Sequence, residues 1–219
     1  MPGKRTTTIL IAVISIGTSS GEMEKREGFF WGGGLGGGYL ERTFSATNAI
    51  DDAETRFYMD FFGGYAFNPH WALGLEIGGW LIEPDSDTYI WNPYYPPDNE
   101  PAEDPEGEGL MQVLMFTRLY PYRDKGLFMK LGGGYLEHWW KTSRGNYNEE
   151  GWTSVAGLGW DVHVSGNWSI TPTVSYSYGE AGDQAHQAVT ASIGFMWHQW
   201  SGPDRMNSPN AHLNTHSTQ

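Results

Sequence analysis

Four side chains of types used in acyl chemistry are predicted to lie close together: Glu54, His138, Ser177 and His186. Ser177 and His186 flank one predicted hairpin, so the imidazole is placed to take the proton of the hydroxyl while Glu54 orients the imidazole. Such an arrangement would hydrolyse or transfer an acyl group. Polar residues at the edge of a fold commonly have no chemical role, and we favour that interpretation and predict no enzymatic activity.

Two other patterns resemble catalytic motifs but do not meet their structural requirements. The sequence Gly32-x-Gly34-x-x-Gly37 matches a dinucleotide-binding fingerprint, yet no strand–turn–helix unit surrounds it. The pair His163-x-Ser165 is of the kind that lipid A deacylases use. However, His163 is predicted to face inward, and Ser165 is predicted to lie in a short turn at the end of the fold away from lipid A. The chain contains no Cys, which excludes disulfides and thiolate chemistry. We predict no metal site and no cofactor.

Composition narrows the class of protein. The 219 residues include 13 Lys and Arg against 26 Asp and Glu, a net charge of −13, which argues against a nucleic-acid partner. The chain is rich in glycine and aromatic residues, a mixture typical of a closed β-sheet. Residues 1–20 have a basic start, an apolar middle and a small-residue end, as in a secretory signal peptide. Residues 201–219 are polar and are predicted to be a disordered tail.

Alternation with period two runs through residues 28–200. In one example, Phe57, Met59 and Phe61 share a face that is opposite to the face of Arg56 and Asp60. Eight segments alternate in this way, as β-strands do. Short connections near 68–70, 121–126 and 165–167 alternate with longer ones near 42–53, 83–109, 139–151 and 179–186. The pattern predicts an all-β fold, an eight-stranded antiparallel up-and-down transmembrane β-barrel.

The orientation of the barrel wall follows from side-chain size. One face carries Trp, Phe, Tyr and Met, and the other carries Gly, Ser and Thr, which are small enough for the narrow, filled lumen of an eight-stranded barrel. The bulky face therefore points outward into lipid, whereas a soluble barrel would hide it. Aromatic residues near the strand ends are predicted to form two interfacial girdles; they include Trp31, Tyr39, Trp71, Tyr135, Trp152, Trp168 and Trp197.

Charged residues fall on the inward face. By parity, three basic and three acidic side chains enter the lumen: Arg56, Asp60, Glu76, Arg118, Lys130 and Asp161. Because unpaired charges in a narrow lumen are costly, we predict a salt-bridged network that closes the lumen, in preference to a gate or a proton path. Pro172 lacks an N–H group and should cost the seventh strand a bond or add a bulge.

Three segments resemble the small eight-stranded outer-membrane β-barrel family, typified by the OmpA transmembrane domain and the OmpX and Ail adhesins. Residues 64–73 look like its first periplasmic hairpin, 167–172 look like its third, and 189–197 resemble its aromatic-ended final strand. The resemblance implies the outer membrane of a Gram-negative bacterium and no particular chemistry. The chain departs from the family in having about twenty residues after the final strand.

The connection 83–109 contains nine acidic residues and no Lys or Arg. One interpretation is a solvated loop stiffened by proline. The other is a display surface, where divalent cations bridge the loop to lipopolysaccharide phosphates or where a basic protein docks. We predict a monomeric barrel in the lipid bilayer, in contact with lipopolysaccharide, with a structural or surface-interaction role. The alternatives are a lipid-modifying acyl hydrolase or acyltransferase, and a narrow solute channel.

Overall fold

The computed structural model describes residues 26–44, 50–82, 107–123, 125–142 and 145–199, with the side chains of 44, 50–54 and 142 excepted. The predicted signal peptide and tail, and residues 83–106 of the acidic connection, lie outside this part of the chain. The strands are β1 Gly28–Phe44, β2 Ile50–Asn68, β3 Trp71–Ile82, β4 Gly107–Leu119, β5 Leu127–Thr142, β6 Gly145–Trp160, β7 Val162–Ser165, β8 Trp168–Ala181 and β9 Gln184–His198. The described residues contain no helix long and apolar enough to cross a membrane.

Antiparallel pairing closes the strands into a barrel. Each strand from β1 to β5 pairs with the next in sequence, β8 pairs with β9, and β1 pairs with β9, for example through Leu35 and Ile193. Together β6 and β7 form one interrupted strand of the barrel, since both pair with β8. With β6 and β7 counted as one, the barrel has eight strands, which confirms the predicted fold class.

The interruption between β6 and β7 lies opposite Pro172. The pairing of β8 with β6 stops at Thr173, and its pairing with β7 resumes at Ile170. In the gap, Asp161 donates its backbone N–H to the carbonyl of Gly126 at 2.9 Å. The strand β8 itself continues through Pro172 in register with β9. The backbone pairing around Pro172 is therefore interrupted on the side of β6 and β7 and continuous on the side of β9.

Two of the connections predicted to be long contain only two residues. Residues 143–144 join β5 to β6, and Gly182-Asp183 joins β8 to β9. Gly182 has a φ of +57°, a left-handed conformation that favours glycine. The predictions of longer loops at 139–151 and 179–186 are therefore wrong. These strands continue past the apolar part of the wall, where alternation of apolar and polar residues no longer marks a strand.

Large side chains occupy the lumen as well as small ones, so the predicted restriction to small residues is wrong. One buried cluster contains Phe30, Phe62, Ala66, Ala72, Phe116, Tyr120, Phe128 and Met196, and a second contains Leu40, Tyr58, Trp80, Ile82, Leu110, Leu136, Ala181 and Ala188. Glycines make room for the rings. A Cβ atom on Gly74, for instance, would lie 2.6 Å from the ring of Phe116.

Candidate functional site in the barrel lumen

The outer wall has an apolar belt with defined limits. On β1, outward residues are apolar from Phe29 to Tyr39, and the next outward residue is Glu41. On β5 the same change occurs between Tyr135 and Glu137. At the opposite end Trp31 contacts Trp168 edge to face, with ring centroids 5.7 Å apart. Because an exposed belt of this size requires lipid, residues beyond Glu41 and Glu137 lie outside the membrane-spanning segments.

The predicted girdle residues lie at the two limits of this belt. Trp71 and Trp168 are exposed near the short turns, together with Trp31 and the half-buried Trp197. Tyr39 and Trp152 are exposed near the other end, and Tyr135 is half-buried there. Their amphipathic rings suit the boundary between hydrocarbon and head groups.

An ion pair lies at the centre of the lumen. The ammonium group of Lys130 on β5 lies 2.6 Å from one carboxylate oxygen of Glu76 on β3 and 2.8 Å from the other. The hydroxyl of Tyr58 donates to Glu76 at 3.3 Å, and Gln112 donates to that hydroxyl at 3.4 Å. The chain of contacts therefore links four consecutive strands, β2 to β5.

Arg118 lies nearer the short-turn end and is only 2 % exposed. Its guanidinium carbon lies 4.4 Å from the ring centroid of Phe62 and 4.5 Å from that of Phe128, with Phe30 and Phe116 slightly farther away. One guanidinium nitrogen lies 4.0 Å from a carboxylate oxygen of Asp161. Cation–π contacts therefore surround a charge that also faces the carboxylate of Asp161.

Asp161 is bound from two further sides. The hydroxyl of Tyr120 donates to one of its oxygens at 2.9 Å, and that of Thr171 donates to the other at 3.0 Å. Asp60 is also buried, and its Oδ1 atom accepts no hydrogen bond from the described residues. Arg56 is half-buried. The structure thus brings Glu76 to Lys130 and Arg118 to Asp161, while Asp60 joins neither pair through a hydrogen bond.

A second charged cluster lies at the outer end of the lumen, and of its three residues the sequence predictions placed only His138 there. Glu108 accepts a hydrogen bond from Arg42, and its Oε1 atom lies 2.6 Å from Nε2 of His138. Glu108 is 5 % exposed, so its predicted display on the acidic surface loop is wrong. The reason is that β4 begins at Gly107 and Glu108 alternates in step with the inward-facing Leu110 and Gln112. The same alternation on β1 would have identified Arg42 as an inward-facing residue.

The proposed catalytic residues come together only in part. The rings of His138 and His186 meet edge to face with their centroids 5.5 Å apart, and Ser177 and His186 line one small cavity. Neither ring nitrogen of His186 makes a hydrogen bond with the described residues, Ser177 included. The side chain of Glu54 lies outside the described part of the chain. A serine activated by histidine is therefore not formed in this arrangement.

Burial and neighbouring charges set the ionisation of the outer cluster. Burial lowers the pKa of His186 to about 3, and the charge of Arg42 acts in the same direction, so this imidazole is uncharged at neutral pH. Burial alone would raise the pKa of Glu108. The hydrogen bond to His138 and the charge of Arg42 outweigh that effect and hold the pKa below its usual value, which keeps Glu108 ionised.

Comparison with solved structures agrees with this architecture. Ail, the attachment invasion locus protein of Yersinia pestis, solved with the heparin analogue sucrose octasulfate, shares 14 % identity over 78 % of this chain and 99 % of its own, with a TM-score of 0.53. Neisserial surface protein A shares 13 % identity over the same fractions, with a TM-score of 0.51. No protein-family profile matches the sequence, and no curated protein matches it.

These similarities are structural, because identities of this size establish a fold and not an activity. They confirm the expected resemblance to the small outer-membrane barrels at the level of fold. The closed wall of eight antiparallel strands and the apolar belt agree with that fold.

Proposed function

We propose that this protein is an integral outer-membrane barrel of a Gram-negative bacterium with a structural role, which holds an acidic segment at the cell surface. The observation that carries the proposal is the content of the lumen. Arg118 with its four phenylalanines and the Lys130–Glu76 pair are buried inside the barrel. Packed rings and paired charges favour a filled lumen over an open channel.

Conductance measurement tests the closed lumen. The full chain, refolded and inserted into planar bilayers, should give no steady single-channel current. A double variant with Phe62→Ala and Phe128→Ala removes two of the rings around Arg118 and should increase any leak. A stable channel in the unmodified protein would instead support the narrow solute channel, and it would contradict the structural role.

The surface role rests on charge. Residues 83–106 contain eight of the nine acids of the predicted loop and no basic residue. The same end of the described barrel has Glu41, Glu137 and Glu150 next to the belt. A polyanion would be repelled there, so the sulfated sugar bound by Ail is not carried over to this chain. We favour divalent cations that bridge the segment to lipopolysaccharide phosphates.

A variant with these eight acids changed to amides separates the segment from the barrel. Nanodiscs with the unmodified protein should capture lipopolysaccharide in millimolar Ca²⁺, and those with the amide variant should not. Both should migrate faster on a gel before heating than after, because the barrel is unchanged. Equal capture by the two proteins would exclude the bridging role and would favour a basic protein as the partner.

A further inference from the structure

The outer end of the lumen contains buried polar atoms without hydrogen-bond partners among the described residues. His138 and His186 are each 3 % exposed. Within the described residues, Nδ1 of His138, both ring nitrogens of His186 and Oε2 of Glu149 make no hydrogen bond. Glu149 is the cross-strand neighbour of His138 and shares its face of the hairpin. A buried polar atom is costly to leave unsatisfied, so the group calls for a partner that the protein itself does not supply.

His138 is oriented in the way that metal-binding histidines are. Its Nε2 atom lies 2.6 Å from the carboxylate of Glu108, which Arg42 holds from another side. The carboxylate accepts, so Nε2 carries a proton, and in the neutral ring Nδ1 then presents its lone pair. A carboxylate that fixes the tautomer of a metal-binding histidine is the usual arrangement around zinc.

The spacing of the two imidazoles fits one metal ion between them. Their ring centroids are 5.5 Å apart and the ring planes are inclined by 62°. Two imidazoles bound to one tetrahedral zinc ion, with Zn–N bonds of about 2 Å, have centroids roughly 5 Å apart. As they now stand, the described residues include no group of three His, Asp or Glu side chains that could hold a metal ion. The carboxylate of Glu149, which lies against Gly182, would therefore have to turn inward to complete the site.

Charge and ligand type select the class of ion. Glu108, Glu149 and Asp183 give three carboxylates near this end of the lumen, against the one guanidinium of Arg42. A divalent cation would reduce that excess. Imidazole ligands favour zinc, copper and nickel, whereas calcium and magnesium prefer oxygen ligands.

We infer that the outer mouth of the barrel binds one late first-row divalent transition-metal ion. The ligands are Nδ1 of His138, a ring nitrogen of His186 and the carboxylate of Glu149, and water completes the tetrahedron. Glu108 and Arg42 are positioning residues, because they act through His138. This site is separate from the surface segment of the proposed function, and its test does not depend on that segment.

The experiment uses the full chain folded in detergent and stripped of metal with EDTA, with Zn²⁺ as the probe. His212 and His216 are changed to Gln in every sample so that the terminal histidines do not contribute. We expect one Zn²⁺ per barrel to survive gel filtration. His186→Gln and Glu149→Gln should each weaken Zn²⁺ binding at least about tenfold, and Glu108→Gln should weaken it about 10–100-fold.

Two readouts distinguish a built site from loose binding. Co²⁺ in place of Zn²⁺ should give the visible absorption of a tetrahedral complex, and this absorption should vanish in His186→Gln. The control His163→Gln alters an exposed histidine at the other end of the barrel and should change nothing. The gel mobility of unheated samples verifies that each variant is folded. Absence of Zn²⁺ binding would overturn the inference. Zn²⁺ binding that is equal in His186→Gln would mean an adventitious ion only and would overturn it as well.

Discussion

Lys130 contacts both carboxylate oxygens of Glu76, at 2.6 and 2.8 Å, although β4 separates the strands that carry them. Both side chains are buried, so water does not weaken their attraction. The pair ties the register of β3 to that of β5, because a shift of one residue would turn either charge toward lipid.

Glu76→Gln and Lys130→Met should each destabilise the barrel by about 3–5 kcal/mol, because either change leaves the partner charge buried and unpaired. The double variant should cost less than the sum of the two, since it removes both charges. Urea unfolding in lipid vesicles, followed by tryptophan fluorescence, measures all four proteins. Additive costs would show that the two side chains do not interact.

Arg118→Ala should destabilise by a similar amount, about 3–5 kcal/mol, because it leaves the buried carboxylate of Asp161 without its cation and opens a gap between the phenylalanine rings. Arg123→Ala is the matched control. Its guanidinium belongs to an exposed turn, and its loss should change stability by less than about 0.5 kcal/mol. Equal effects of the two substitutions would place Arg118 in water.

Gly64 and Gly63 offer a neighbouring pair with opposite surroundings. A Cβ atom on Gly64 would overlap the backbone carbonyl of Leu73, whereas one on Gly63 would lie 3.5 Å from the carbonyl of Phe30, an ordinary contact. Gly64→Ala should therefore cost about 1–3 kcal/mol, and Gly63→Ala should be close to neutral. The same unfolding assay compares them, and a larger cost for Gly63→Ala would indicate that the two faces of β2 are assigned in reverse.

The outward direction of the apolar face is open to a depth test on β3. Ile77 lies near the middle of the exposed apolar row, and Leu81 lies near its outer end. Ile77→Arg should destabilise the barrel in vesicles by about 2–4 kcal/mol, and Leu81→Arg should cost about 0–1 kcal/mol, because charge is costly only at the centre of the bilayer. Refolding yields in vesicles of fixed composition give the comparison. No dependence on depth would argue against a lipid-facing row.

The sequence by itself determined the fold class and the direction of the wall. Alternation with period two separates Phe61 and Leu75 from Asp60 and Glu76, and only one of the two faces suits lipid. Parity also assigned Arg118, Lys130 and Asp161 to the lumen. These properties depend on neighbours two residues away, so they can be read along the chain.

The tertiary structure alone decided which residues meet across the lumen. On parity alone, Lys130 could have paired with Asp60 or Asp161. The register of the strands brings it to Glu76 instead. Arg42, Glu108 and His138 are far apart in sequence and converge because β1, β4 and β5 continue beyond the apolar belt. Pairing across a closed barrel depends on strand length and register, which alternation along one strand does not encode.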